Sequence, residues 1–158
     1  MKVKHKIYDL RIAAFHVAGQ ELMARSFGLN SLVKIWPVEN PGPDDRTWRA
    51  SIEYDGQWVT AKGHRMICLA GWLAETILRD EVSKQEINAW LADPCDLARD
   101  LVDALEANDF SASASRGLQG WTLEELVDVL GFLKRYRSLL EVEAKVWIAR
   151  ALAGPVAA

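Results

Sequence analysis

The stretch "AAFHVAGQELMARSFG", residues 13–28, decides the fold that we expect for this chain. Its apolar residues recur at helical spacing, and it contains no proline that would interrupt a helix. Gly28 closes the stretch, and glycine favours the left-handed conformation that commonly follows the last turn of a helix. We therefore predict a first helix from about Ile7 to Phe27.

Three residues of this helix need a specific explanation. His16 and Gln20 are four positions apart, so the helix brings them to the same face. Gly19 lies between them, although glycine costs a helix about 1 kcal/mol relative to alanine. We expect another backbone or side chain to approach the helix closely at Gly19.

Composition limits the class of protein. The chain has 158 residues, of which 50% are hydrophobic and 26% charged, which is typical of a single globular domain over residues 1–158. The net charge is −3 and the basic residues are scattered, so the positive surface of a nucleic-acid-binding protein is not expected. Cys68 and Cys95 lack metal-site spacing, which favours reduced thiols.

The sequence also predicts a cytoplasmic protein without a membrane partner. The longest apolar run, from Met66 to Leu78, contains Glu75 and is too short to cross a bilayer. The first residues are basic, but they lack the apolar segment of a signal peptide.

A small sheet is predicted after the first helix. Strands are expected over Ser31–Val38, Thr47–Tyr54 and Gln57–Ala61. Residues 48–54 alternate between apolar and polar types, which places one face of the second strand on the core. The Asp55-Gly56 pair favours a two-residue hairpin turn into the third strand. Residues 39–46 contain two prolines, a glycine and several charges, and they are predicted to form a mobile surface loop.

The second half is predicted to be helical. Helices are expected at about Gly63–Leu78, Ser83–Ala92, Asp93–Asn108 and Thr122–Gly154. The last helix would be about 45 Å long, which exceeds the width of one small core, so one end could project or meet a partner. The fold class is therefore α+β and mainly helical, with about three strands and a long C-terminal helix.

The first helix carries part of a zinc-protease motif. In H-E-x-x-H, two histidines four residues apart bind zinc, and the glutamate acts as base on the bound water. Here only His16 is present, because Val17 replaces the glutamate and Gln20 replaces the second histidine. Residues that could add a ligand to His16 are Glu21, His64 and Asp109. If no family resemblance is considered, His16 is better interpreted as a hydrogen-bonded histidine near the core than as a metal ligand.

Two segments together resemble a known family. "AAFHVAGQELMARSFG" resembles the H-E-A-G-H-A helix of FtsH-type ATP-dependent zinc metallopeptidases, and "CLAGWLAETIL", residues 68–78, is similar to their L-A-G-x-x-A-E helix. The segments occur in the family's order and are separated by strands. The packing residues that match these motifs are Ala18, Gly19, Ala70, Gly71 and Glu75.

The resemblance implies a zincin-like peptidase domain in degenerate form. His16 matches the first zinc ligand, Val17 stands at the general base and Gln20 at the second ligand. The family's third ligand is an aspartate, and the corresponding region here is residues 108–117, where only Asp109 lies nearby. The chain contains no G-x-x-x-x-G-K-[ST], so the accompanying ATPase module is not expected in it.

These observations favour one function and leave others open. The preferred hypothesis is a catalytically inactive homologue that binds a protein partner or a second copy of itself and needs no cofactor. The competing hypothesis is a metal-dependent hydrolase in which Glu21, His64 or Asp109 completes a zinc site around His16. A third possibility is a stable cytoplasmic domain defined only by an interface.

Overall fold

The computed structural model describes residues 5–78 and 123–154. The elements in order are α1 (Ile7–Ser26), β1 (Ser31–Pro37), β2 (Trp48–Tyr54), a 3-10 helix (Gly56–Trp58), α2 (Ala61–Leu78), α3 (Leu123–Arg135) and α4 (Arg137–Leu152). The α+β, mainly helical class is thereby confirmed. The predicted helices over 83–92 and 93–108 lie outside the described residues, as do Cys95 and Asp109. Among residues 5–78 and 123–154, we find no helix with the length and hydropathy of a membrane span.

The first helix, α1, is the central element. It packs against α2, α4 and both strands. Its buried apolar residues are Leu10, Ile12, Ala13, Ala14, Phe15, Val17, Ala18, Leu22, Met23 and Ala24. A helix that is apolar on nearly every side is stable only when other elements surround it. It ends as predicted, since Gly28 has a φ of 76° and Leu29 N donates to Ala24 O at 3.1 Å.

The two strands form an antiparallel hairpin that lies against α1. Ser31 pairs with Tyr54 at one end and Pro37 with Trp48 at the other. The alternation predicted for β2 is confirmed at its ends, because Trp48 and Tyr54 are partly buried whereas Glu53 is exposed.

The third strand predicted over Gln57–Ala61 is wrong. Residues 56–58 form the 3-10 helix instead, and α2 begins directly at Ala61. The Asp55 carboxylate accepts a hydrogen bond from Gln57 N at 3.0 Å, so Asp55 caps this turn and does not start a hairpin. The sheet within the described residues therefore has two strands.

The single long C-terminal helix is also wrong. The chain leaves helical geometry at Tyr136, where φ is −103° and ψ is 25°. The two helices that result have 13 and 16 residues, which corresponds to about 20 and 24 Å. Because α3 packs on α2 while α4 packs on α1, each follows a different neighbour and the chain breaks between them.

A buried threonine fixes the hairpin to the start of α1. Thr47 is fully buried, and both its backbone N and its Oγ1 lie 2.8 Å from Asp9 Oδ2. Lys6 N donates to the same Oγ1 at 2.8 Å. These bonds hold the residue next to Thr47, which is Arg46, at a defined place beside the helices.

Candidate functional site

The candidate site lies where α1 crosses α2 at very short range. A Cβ built on Gly19 would lie 2.6 Å from Ala70 O and 2.8 Å from Ala74 Cβ. Such distances leave no room for a side chain, so glycine is required by the approach of the second helix. The close approach expected at Gly19 is therefore present, and the neighbour is the helix that carries the second family-like segment.

The side chains of the first segment lie directly against the second. A Cβ on Gly71 would lie 2.7 Å from His16 Nε2 and 2.8 Å from Gln20 Cγ. Gly71 therefore leaves the space that His16 and Gln20 occupy. The matched residues of the two segments thus meet at one crossing and fit each other sterically.

His16 lies beside a buried carboxylate at this crossing. Its Nδ1 is 2.9 Å from Glu75 Oε1, a close polar contact in which the ring is not aligned for a linear hydrogen bond. Arg46 Nη1 lies 3.1 Å from the same oxygen, and Nη2 lies 3.5 Å from Oε2. The crossing thus contains a triad of His16, Glu75 and Arg46, contributed by α1, α2 and the loop before β2.

The triad keeps Glu75 ionised. Burial raises the pKa of Glu75, which is only 5% exposed, but contacts with His16 and Arg46 act more strongly in the opposite direction. The pKa of this carboxyl therefore lies below its usual value. At neutral pH the ionised Glu75 carboxylate therefore lies in contact with α1, through His16, and with the loop before β2, through Arg46.

The residues of this crossing do not fit a catalytic zinc ion. Zinc sites of the peptidase type use three protein ligands and an open position for water. Here the donors are one imidazole, one carboxylate and the neutral amide of Gln20, and the Arg46 guanidinium already contacts both oxygens of the carboxylate. A cation at that point would face the positive charge of Arg46 at short range.

The other residues considered as ligands take part in different contacts. Glu21 pairs with Arg25 Nη2 at 3.2 Å, and His64 Nδ1 is hydrogen-bonded to the hydroxyl of Tyr54. Val17 is fully buried in the core. No group of three or more histidine, cysteine, aspartate or glutamate side chains within residues 5–78 and 123–154 has an arrangement that could hold a metal ion.

A second acidic cluster joins α1 to α4. Arg25 lies 3.2 Å from Glu21 and 3.8 Å from Glu143, so one guanidinium serves two carboxyls. Burial, together with the neighbouring Glu143, raises the pKa of Glu21 to about 7, while Arg25 and Trp147 act in the opposite direction. The surroundings of Glu21 therefore disfavour its ionised form, in contrast to those of Glu75.

The thiol near His64 is not activated. Cys68 is a free, partly buried cysteine, and its burial raises the pKa of the thiol. A raised pKa keeps the sulfur protonated, which is unsuited to nucleophilic catalysis. Cys68, the cysteine within the described residues, is therefore interpreted as a small packing residue.

Sequence reasoning missed the pairing of Glu75 with His16 and Arg46. One signal was available, because Glu75 is the only acidic residue in the apolar run 66–78, and a buried charge requires a partner. Nothing in the sequence identifies Arg46 as that partner, since it lies in an irregular loop 29 positions away.

Comparison with models of known protein families gave no match. Comparison with curated proteins gave no match either.

Proposed function

We propose that the chain is a catalytically inactive homologue of the FtsH-type zinc metallopeptidase domain and that it acts by binding another protein chain. The proposal depends mainly on the triad at the helix crossing. The histidine that matches the first zinc ligand lies against Glu75, and Glu75 is held by Arg46.

The residues at the remaining motif positions support loss of catalysis. Hydrolysis by a zinc peptidase requires a base that accepts a proton from the attacking water. Val17 stands at that position, is fully buried and has no group that can accept a proton. Gln20 supplies a neutral amide, which is a weak zinc ligand compared with imidazole.

The packing half of the motif is retained, which supports a role for the fold itself. Gly19 and Gly71 keep α1 and α2 at a separation that no larger residue permits. A chain that keeps this crossing without a base or a ligand set has the properties of a scaffold that presents surfaces.

The first test measures metal and peptidase activity on the full chain. Purified protein is analysed for metals after exposure to excess zinc and gel filtration, and it is incubated with unfolded casein beside an active FtsH-type peptidase. We expect less than about 0.1 zinc per chain, because a site with two weak donors does not retain the metal through gel filtration. We also expect no casein fragments. One zinc per chain that disappears in His16→Ala, or casein cleavage that needs that zinc, overturns the proposal.

One observation favours the competing metal-dependent hydrolase. Histidines that bind zinc commonly place their other ring nitrogen beside a carboxylate, as His16 Nδ1 lies beside Glu75. In that candidate, His16 Nε2 would bind the metal with help from Asp109, which lies outside the described residues.

The two candidates differ in the effect of Arg46. Replacing Arg46 with methionine removes the positive charge beside Glu75 and keeps most of the side-chain volume. The inactive scaffold still binds no stoichiometric zinc in this variant, because base and ligands are missing. A metal site around His16 would bind zinc at least tenfold more tightly once that charge is removed, and Asp109→Asn would then weaken the binding.

A further inference from the structure

The last helix, α4, has apolar residues on two opposite faces. One face packs on α1, with Leu140 and Ala144 fully buried. The opposite side carries a row of exposed residues that we call the α4 stripe: Leu139, Val142, Val146 and Ala149 on the helix, and Ala153 at its C-cap. Leu139, Val142 and Val146 are 41%, 55% and 38% exposed.

The α4 stripe has the spacing of a two-helix seam. Its residues follow one another at intervals of three, four, three and four, which is the pattern of the a and d positions in a coiled coil. A helix face that contacts only water usually carries polar residues, whereas all five positions of the α4 stripe are apolar. The stripe therefore points to a second helix as its partner.

The helix α4 is already folded in the single chain, before any partner binds. Short isolated helices are marginal in water because forming the helix is itself costly. Here α4 is already folded, since its other face is buried against α1. Pairing along the α4 stripe would therefore not include that cost.

We infer that the α4 stripe binds the α4 stripe of a second copy of this chain, with the two helices antiparallel. This inference rests on the binding half of the proposed function and names the partner. An antiparallel pair can place Val146 opposite Ala149 of the second copy, and Val142 opposite Ala153 of the second copy. Each valine then faces a small residue, which allows the two helices to approach closely.

The charges that flank the stripe favour this arrangement. In the antiparallel register just described, Glu143 lies next to Arg150 of the second copy, and the contact occurs twice by symmetry. In a parallel pair, Lys145 would instead lie next to Arg150 of the second copy, so like charges would meet. The opposite charges across the seam therefore select the antiparallel pair.

The two carboxyls of Glu21 and Glu143 give a second reason to expect Arg150 of the second copy beside Glu143. Glu143 and Glu21 share the single guanidinium of Arg25. Arg150 is exposed, with its guanidinium carbon 4.8 Å from the centre of the Trp147 ring. Arg150 of a second copy would add the positive charge that this pair of carboxyls lacks.

The first experiment measures self-association by sedimentation equilibrium of the full chain between 5 and 200 µM, a range that suits interfaces of moderate affinity, on the order of micromolar. We expect a monomer–dimer equilibrium that V142D weakens at least tenfold. The matched control is L32D, since Leu32 is exposed to a similar extent, 57%, but lies on β1. The control should dimerise like the wild type.

Three outcomes of this experiment overturn the inference. A wild type that remains monomeric at 200 µM does so, whatever the stability of V142D. Equal weakening by V142D and L32D, or by L32D alone, also does so because the interface would then not be the α4 stripe. If the wild type is monomeric and V142D melts at a lower temperature than the wild type, another part of the same chain covers the α4 stripe, and the inference is overturned.

A charge exchange tests the antiparallel register. R150E places two glutamates opposite each other and should weaken dimerisation about tenfold, whereas the double variant E143R/R150E should recover most of the wild-type affinity. Circular dichroism confirms that each variant is folded. A double variant as weak as R150E overturns the antiparallel register. Neither result affects the metal and casein tests, so this inference can fail while the proposed loss of catalysis stands.

Discussion

The two contacts that α1 makes with its neighbouring helices each contain a buried glutamate, yet the pKa values of the two carboxyls are shifted in opposite directions. Glu75, between α1 and α2, lies beside His16 and Arg46, and its pKa is lowered. Glu21, between α1 and α4, lies beside a second glutamate, and its pKa is raised to about 7. Burial acts in the same direction on both, so the charge of the neighbours decides the outcome.

This difference separates a permanent contact from an adjustable one. The α1–α2 contact is fixed by glycines that exclude any larger side chain and by a carboxylate that is ionised throughout the neutral range. The α1–α4 contact loses favourable energy as Glu21 ionises, because burial of Glu21 and the neighbouring Glu143 both disfavour its charged form. Its strength therefore depends on pH close to neutrality.

The largest expected effect comes from closing the space between α1 and α2. In Gly19→Ala, the new Cβ would meet the Ala70 carbonyl oxygen, which is backbone and cannot rotate away. We expect the free energy of unfolding to fall by about 3 kcal/mol, measured by urea denaturation.

The matched control is Gly131→Ala in α3, where no atom lies within 4 Å of the new Cβ. Alanine has the better helix propensity, so this variant should be about 0.5 to 1 kcal/mol more stable than the wild type. Equal behaviour of the two variants would contradict the close crossing.

A smaller loss is expected from removing the charge of the triad. Glu75→Gln keeps the size of the side chain but leaves Arg46 and His16 without an anion, so the free energy of unfolding at pH 7 should fall by about 2 kcal/mol. Because the folded pKa of Glu75 is lowered, its stabilisation is present above the usual value of 4.5 and is lost as the pH falls below it. The difference between wild type and variant should therefore shrink below about pH 4.5, as followed by urea unfolding between pH 3 and 7. A constant difference over that range would argue against an ionised Glu75.

The smallest effect has the opposite sign and concerns the α1–α4 contact. The folded pKa of Glu21 is raised, so its favourable contribution is complete below 4.5 and is lost as the pH rises through about 7. Glu21→Gln should therefore be about 1 to 2 kcal/mol more stable than the wild type at pH 8 and nearly equal to it at pH 4.

Thermal unfolding of both proteins at these two pH values provides the measurement. Glu53→Gln serves as the control because the Glu53 side chain is 67% exposed, and its stability should follow the wild type at both pH values. A Glu21→Gln protein that is less stable than the wild type at pH 8 would mean that Arg25 dominates the cluster.

The parts of the fold that follow from local sequence were predictable. The bounds of α1 follow from an uninterrupted apolar period and from Gly28, and the facing of β2 follows from strict alternation over residues 48–54. The hairpin turn predicted at Asp55-Gly56 was wrong because the same pair of residues is compatible with both a hairpin turn and a capped 3-10 turn. Tyr136 gave no warning of a break, since neither glycine nor proline is present and the cause is the packing of α3 and α4 on different helices.

The candidate site was predictable only in its helical part. His16, Gly19 and Gln20 share a face by spacing alone, and Gly19 indicated a close neighbour. The triad depends on Arg46, whose position comes from the Asp9–Thr47 bonds between distant parts of the chain. Such contacts leave no periodic signal in the sequence.

The loop between β1 and β2, residues 38–47, provides a site for attaching a reporter group. Val38 N donates to Thr47 O at 2.9 Å, so the hairpin is closed before the chain enters the loop. Glu39 and Asn40 are exposed beyond this closure, whereas Arg46 at the far end is bound to Glu75. A fluorescent reporter on a cysteine that replaces Glu39 would therefore stand on the exposed side of the closed hairpin, in the loop whose other end is held by Glu75, and its emission would report a release of that loop.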